Sequence, residues 1–224
     1  MNLAANYGGS SFMQTYAFGS RDSGFLLIQP VGNHELSGIE KEAALLRELA
    51  GDDFLLIAVK IPNWNQDLAP WPAPPAFGNE SFGNGAAETF REILPLVCGK
   101  AKHRIIGGYS LAGLFSLWAG YQTDVFTGIA AASPSVWYPG FTDYMEQHTI
   151  RARSVYLSLG NGESRTRNPV MSRVADCIRE THTLLNRQTT ACFLEWNEGN
   201  HFKDPDLRTA KAFAWVINHS RQSG

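Results

Sequence analysis

From residue 25 onward, short runs dense in Leu, Ile and Val alternate with stretches whose apolar positions recur every three or four residues. The first kind reads as buried strand and the second as amphipathic helix. The strand candidates are Phe25 to Gln29, Phe54 to Ile61, Arg104 to Tyr109, Gly128 to Ala132, Val155 to Leu159 and Cys192 to Trp196. Strands alternating with helices in this way predict an α/β fold, a mostly parallel sheet with helices on both faces. An earlier strand, about Phe12 to Phe18, is followed by Ser20-Arg21-Asp22-Ser23-Gly24. That turn-forming composition predicts a hairpin and an antiparallel pairing with Phe25 to Gln29.

Helix starts are signed by local chemistry. Ser37-Gly38-Ile39-Glu40 has the spacing of a capping box, followed by Ala43, Leu45, Leu46 and Leu49 on a helix that ends near Gly51. Asn168-Pro169 supplies a cap and a first-turn proline before Val170, Val174 and Ile178. Asp204-Pro205 repeats the device before Leu207, Ala210, Phe213 and Ile217, which assigns Asp204 to capping. Between Pro62 and Gly85 this order breaks down, in a proline-rich stretch carrying Trp64, Trp71 and Phe77. A connector that long inside a compact domain predicts a lid or a pocket wall, with a surface loop pinned by its aromatics and without a ligand as the alternative.

Composition narrows the classes. The 224 residues, 44% hydrophobic and 18% charged with a net charge of -2, predict one domain over 1–224 with no electrostatic attraction for nucleic acid. No window approaches the roughly 18 consecutive apolar residues of a membrane span, and the N-terminus lacks a basic region followed by an apolar one. Cys98, Cys177 and Cys192 are far apart and without metal-ligand spacing. They read as free, mostly buried thiols in a reducing compartment, so a cytoplasmic location is expected. Oligomeric state is not legible.

The chemistry centres on Gly107-Gly108-Tyr109-Ser110-Leu111-Ala112-Gly113, entered by the strand Arg104-Ile105-Ile106 and left by the apolar helix Leu114, Phe115, Leu117, Trp118. A serine between tiny residues at a strand-to-helix turn is the setting of a nucleophile elbow. A helix-capping serine is the plainer alternative, and a phosphate-binding loop is disfavoured because no Lys-Ser or Lys-Thr follows the glycines. Such a serine needs a base, and histidine has the right pKa. His201 follows the last strand and should sit at the carboxyl edge of the sheet beside Ser110. His34 is the reserve. His103 lies before its strand, and His148, His182 and His219 fall on helices or at their ends.

An acceptor for the other imidazole nitrogen should follow a strand between Ser110 and His201. Glu163, in Gly160-Asn161-Gly162-Glu163, is that candidate, with a solvated charge paired to Arg165 or Arg167 as the alternative. Asp143 and Asp176 fall on helices. An oxyanion would take the N–H of Leu111 and a second from Val31 or Gly32 in Pro30-Val31-Gly32-Asn33-His34, a choice the sequence leaves open. Trp64, Trp71 and Trp137 are candidate pocket residues for an apolar small-molecule ester.

The elbow, the segment Ala132-Ser133-Pro134-Ser135-Val136-Trp137 and the late Gly199-Asn200-His201 together resemble the putative esterase family of the α/β-hydrolase fold, the group of esterase D and the enterochelin-esterase-like hydrolases. The resemblance runs from about Leu26 to Val216. It implies a serine hydrolase of carboxylic esters without metal or organic cofactor, with Ser110 as nucleophile and His201 as base. As a departure from the family, no large cap domain is expected between the strands here, which leaves the Trp64 to Phe77 loop to cover the substrate. Many relatives carry aspartate where Glu163 would stand, and some enterochelin-esterase-like members work with a serine-histidine pair, so a dyad is the alternative to the triad. Acyl transfer on the same machinery and a non-catalytic binding protein of the same fold are the competing functions, and a peptidase is disfavoured by the short chain.

Overall fold

The computed structural model describes residues 13–188 and 191–223. Its centre is a seven-stranded sheet: β1 (Thr15–Gly19), β2 (Phe25–Val31), β3 (Phe54–Lys60), β4 (His103–Tyr109), β5 (Gly128–Ala132), β6 (Ser154–Gly160) and β7 (Ala191–Asn197), in the order β1-β3-β2-β4-β5-β6-β7. All neighbours are parallel except β1 and β3. The six later strands fall where the apolar runs predict them, within two residues. His103, expected ahead of β4, is its first residue and stacks on Phe25.

The hairpin is a correction. β1 pairs with β3 and not with β2. Both edges of β2 are taken by parallel partners, and all seven of its residues are buried. The half-exposed β1 goes to the free edge of β3 instead, where Gly19, at φ 101°, lies against the Phe54 carbonyl so closely that a Cβ would sit 2.0 Å from it. Asp53 holds the turn there by accepting the Gly24 amide at 2.7 Å. Residue 12 of the expected strand lies outside the described residues.

Alternate side chains of the strands feed two cores. Leu27, Leu56, Ile105 and Ala130 pack under α1 (Ile39–Ala50) and α7 (Pro205–Gln222). Ile28, Ile57, Ile106 and Val155 pack under α3 (Ala86–Ile93), α4 (Leu111–Gln122), α5 (Phe141–Gln147) and α6 (Val174–Arg187). Each fully buried Leu or Ile contributes about 1.5–3 kcal/mol relative to exposure. Among the described residues no helix is long and apolar enough to cross a membrane.

Three helix starts differ from expectation. α1 has Gly38 at its N-cap with no side-chain cap, so Ser37 and Glu40 form no capping box. The chain enters α1 through a run of tight turns that orient its backbone without a serine. On α1 the buried face carries Glu42 beside Ile39, Ala43 and Leu46, while Leu49 is exposed. Asp204 likewise makes no side-chain cap on α7; it stands at φ 51°, and Pro205 alone marks the first turn. Asn168 Oδ1 accepts the amides of Val170 and Met171 at 2.9 and 3.1 Å, but this closes a turn ahead of a single 3-10 turn, and α6 itself begins only at Val174, with Arg173 at its N-cap and no side-chain cap.

The proline-rich stretch is a packed wall. It holds a short helix, α2 (Trp64–Asp67), and a bridge from Ala73 to Phe82, with Leu68 and Ala69 fully buried. The cysteines are free, but Cys98 is exposed and Cys177 and Cys192 are only partly covered, against the expectation of mostly buried thiols. Their hydrophobic neighbours on α6 and β7 lie near the sheet edge, where cover is incomplete.

Candidate active site

Ser110 stands between β4 and α4 with φ 56° and ψ -118°, a conformation L-residues adopt at a cost of order 1–3 kcal/mol. The small neighbours make this turn possible. A Cβ at Gly108 would lie 2.7 Å from the Ala112 methyl, and one at Gly107 would lie 2.5 Å from the Ala130 carbonyl. Two backbone bonds lock the elbow to the end of β5 and the loop after it: Ser110 N–H donates to Ala132 O at 3.1 Å, and Ser135 N–H donates to Ser110 O at 3.0 Å. Ser135 Oγ lies 3.4 Å from Ser110 Oγ.

His201 is carried by the loop after β7, and its Nε2 lies 3.1 Å from Ser110 Oγ. Its Nδ1 lies 2.7 Å from Glu163 Oε2. A carboxylate accepts, so Nδ1 carries the proton and Nε2 is left free to take one from the serine. The loops bearing Glu163 and His201 are joined by backbone and side-chain bonds. Asn161 N–H donates to Asn197 O at 2.8 Å, Gly162 N–H to Gly199 O at 2.9 Å, and Gly199 N–H to Asn161 Oδ1 at 3.1 Å. Gly160 must be glycine for this approach, because a Cβ there would sit 2.4 Å from Gly199 O.

Glu163 is buried, and its second oxygen is satisfied three times. Oε1 accepts the Gly160 amide at 2.6 Å, the Ser133 hydroxyl at 2.9 Å and Arg208 Nη1 at 3.0 Å. Burial by itself pushes its carboxyl up, yet the bonds from His201, Gly160 and Ser133 hold it below the ordinary range. Arg208 is 2% exposed, and Nη2 also donates to the Glu198 and Asn200 carbonyls at 3.0 and 3.1 Å, tying the histidine loop to α7. Tyr109 completes the frame, donating its hydroxyl to His201 O at 2.7 Å and accepting from Arg208 Nη1 at 3.1 Å. Burial pushes that phenol up to about 12, so it stays a donor at physiological pH.

A cavity of about 770 Å³ opens over Ser110 and His201. Trp64, Phe77, Trp137, Met171 and Val174 give it an apolar wall, and the exposed Phe202 stands edge-on to His201 at the rim. Of the three tryptophans expected there, Trp64 and Trp137 line it and Trp71 does not. Trp71 is drawn away by its own polar handle: Nε1 donates to Pro139 O at 2.8 Å, and its carbonyl accepts the Tyr138 hydroxyl at 2.6 Å. His34 also borders the cavity, edge-on to Trp64, but Ser110 Oγ bonds to His201 instead.

At the expected oxyanion positions, Leu111 is the first residue of α4, where a helical N–H has no acceptor within the helix. Val31 ends β2, wholly buried, its carbonyl accepting the Ile61 amide at 2.9 Å. Gly32 is the first residue beyond the ladder. Its N–H donates at 2.7 Å to Oε2 of Glu35, a residue that lines the cavity.

Sequence reasoning missed Arg208, Ser133, Tyr109 and Glu35 as parts of this constellation. The first had a faint sign, since an arginine directly after Leu207 lies next to the apolar stripe of the last helix. Ser133 and Tyr109 carried none, because their roles depend on contacts 30 and 99 residues apart in sequence, and Glu35 reads only as a loop charge until its turn closes on Gly32.

No protein-family model matches the chain, and no curated protein does. Solved structures match over nearly its whole length. An IroE-like serine hydrolase from Shewanella oneidensis superposes with a TM-score of 0.71 at 11% identity, over 92% of this chain and 76% of that one. The siderophore hydrolase EstA from Aspergillus nidulans gives 0.66 at 17% identity, over 98% and 94%. The enterobactin esterase FES from Shigella flexneri gives 0.64 at 14% identity, over 95% of this chain but 56% of that one. With the parallel sheet and elbow, these likenesses show the α/β-hydrolase fold.

Proposed function

We propose that this protein is a serine hydrolase of carboxylic esters, working as one α/β-hydrolase domain. Ser110 attacks the ester carbonyl as His201 Nε2 takes its proton. Glu163 keeps Nδ1 protonated and stabilises the imidazolium, which then gives the proton to the departing alcohol. Water, activated by the same imidazole, releases the acid and restores the serine. General-base assistance of this kind contributes typically 10²–10⁴-fold. The tetrahedral oxyanion takes the Leu111 amide and, of the two open alternatives, that of Gly32. Val31 is enclosed, while Gly32 already directs its N–H at an anionic oxygen. One such donor is worth on the order of 3 kcal/mol in the transition state.

The observation that carries the reading is the unbroken chain of contacts from Ser110 through His201 to a buried, cation-anchored Glu163. It favours the triad over the dyad. The apolar wall of Trp64 and Trp137 favours esters with an apolar acyl or alcohol part over charged polymers. The folds named above as hydrolases and esterases agree with this. A panel of nitrophenyl esters graded by acyl length tests it: wild type should turn over at least one member, and Ser110→Ala should abolish that turnover. Turnover that survives the substitution would exclude the reading.

A further inference from the structure

We propose that Glu35 governs the second oxyanion donor: in the resting protein its carboxylate occupies the Gly32 N–H, and it gives that amide up when the tetrahedral oxygen forms. This rests on the hydrolase reading. The two residues close a four-residue turn on each other, Glu35 N–H donating to Gly32 O at 3.1 Å while Gly32 N–H donates to Glu35 Oε2 at 2.7 Å. The turn lies at the carboxyl end of β2, beside the elbow strand β4, and the Glu35 carboxyl faces the cavity that holds Ser110. The His34 imidazole and the Trp64 indole crowd Gly32, where a Cβ would meet them at 2.5 and 3.2 Å. Under this proposal the Glu35 carboxylate and a substrate oxyanion compete for the same amide, and two anions cannot share one N–H.

The surroundings make Glu35 ready to yield. Burial pushes its carboxyl up to about 7, against the pull of the Gly32 amide. Facing it are His34 on its own turn, with Nε2 3.9 Å from Oε2, and Glu42 on α1, whose carboxyl is raised by burial and further by the charges of Glu35 and Asp206. Asp206 on α7 is itself paired to Lys41 at 2.6 Å, and His201 lines the same cavity. No guanidinium or ammonium pairs with Glu35 among these. Protonation from solvent turns a strong charged acceptor into a weak neutral one, and the N–H becomes available to a new anion. Glu35 is therefore a positioning residue that acts through the Gly32 amide.

The test has two parts. The ratio of pre-steady-state acylation rates with nitrophenyl acetate, Glu35→Gln over wild type, removes any pH dependence common to both. It should rise at least threefold from pH 6 to pH 8, because glutamine mimics the protonated acid at every pH. A ratio constant with pH would overturn the gate and leave Glu35 as a fastener of the turn. Separately, the Gly32 amide resonance of wild type should titrate between pH 6 and 8, and a position independent of pH there would also overturn it. Wild type that is never acylated, by this ester or by a fluorophosphonate, would remove the hydrolase reading and the gate with it. Acylation with a flat ratio removes the gate alone.

Discussion

Glu35 and Glu163 border the same cavity, and folding moves their carboxyls in opposite directions. Both are withdrawn from water, and withdrawal raises both. The difference lies in what each one meets. Glu163 receives an arginine, an amide, a hydroxyl and an imidazole on its two oxygens, and stays charged. Glu35 receives one amide and lies near a second carboxyl. Burial does not set the charge of a carboxyl by itself; the count and sign of its partners do. At one end of the cavity a carboxylate is held charged against the His201 imidazole, and at the other one is loosely held beside the Gly32 amide.

The sharpest way to break this contrast is to remove the fixed charge. Glu163→Gln keeps the shape but no longer favours the productive imidazole tautomer, and ester turnover should fall by about 10³- to 10⁴-fold. A loss under tenfold would reduce the site to a serine-histidine pair. Next comes the anchor. Arg208→Met leaves Glu163 buried without its cation, which should cost roughly 3–5 kcal/mol in denaturant unfolding, with turnover reduced at least tenfold. Unchanged stability would show that the amide and hydroxyl suffice.

The smallest effect is on stability against pH, where the sign separates the two ends. Glu35 and Glu42 have folded values above the ordinary 4.5, so their contribution is whole below 4.5 and is lost as pH rises through the folded values. For Glu35 alone that is on the order of 3 kcal/mol, lost by about pH 7. Glu163, held below the ordinary value, contributes above 4.5 and loses its contribution as pH falls through its folded value. Glu42→Gln should therefore flatten the decline of the melting temperature between pH 5 and 9 without altering the acid limb. A decline as steep as that of wild type would contradict the assignment.

The fixed end was largely legible in the sequence. Ser110 is marked by its glycines, and His201 by its place after the last strand. Glu163 is legible as the candidate acid because chain order limits where such an acid can stand. Such residues are announced by the element that holds them, a strand end or a turn, and those elements follow from local apolar patterning. The other end was hidden. Glu42 reads as one more charge on an amphipathic helix until the helix is docked, and Glu35 reads as a loop carboxylate until the turn closes on Gly32. Trp71 misled for a related reason. Its composition suggested a pocket, but the indole N–H found the Pro139 carbonyl 68 residues away. The pairing of β1 with β3 was invisible too, since a turn specifies a reversal of direction and not the neighbour that is reached.

The central claim, that folding brings an activated Ser110 to His201, is tested most directly by a fluorophosphonate with the labelled peptide identified by mass spectrometry. The account predicts stoichiometric modification of wild type on Ser110, and modification slowed at least a hundredfold in His201→Ala. A wild-type Ser110 that stays unmodified, or a His201→Ala variant that labels at the wild-type rate, would contradict it.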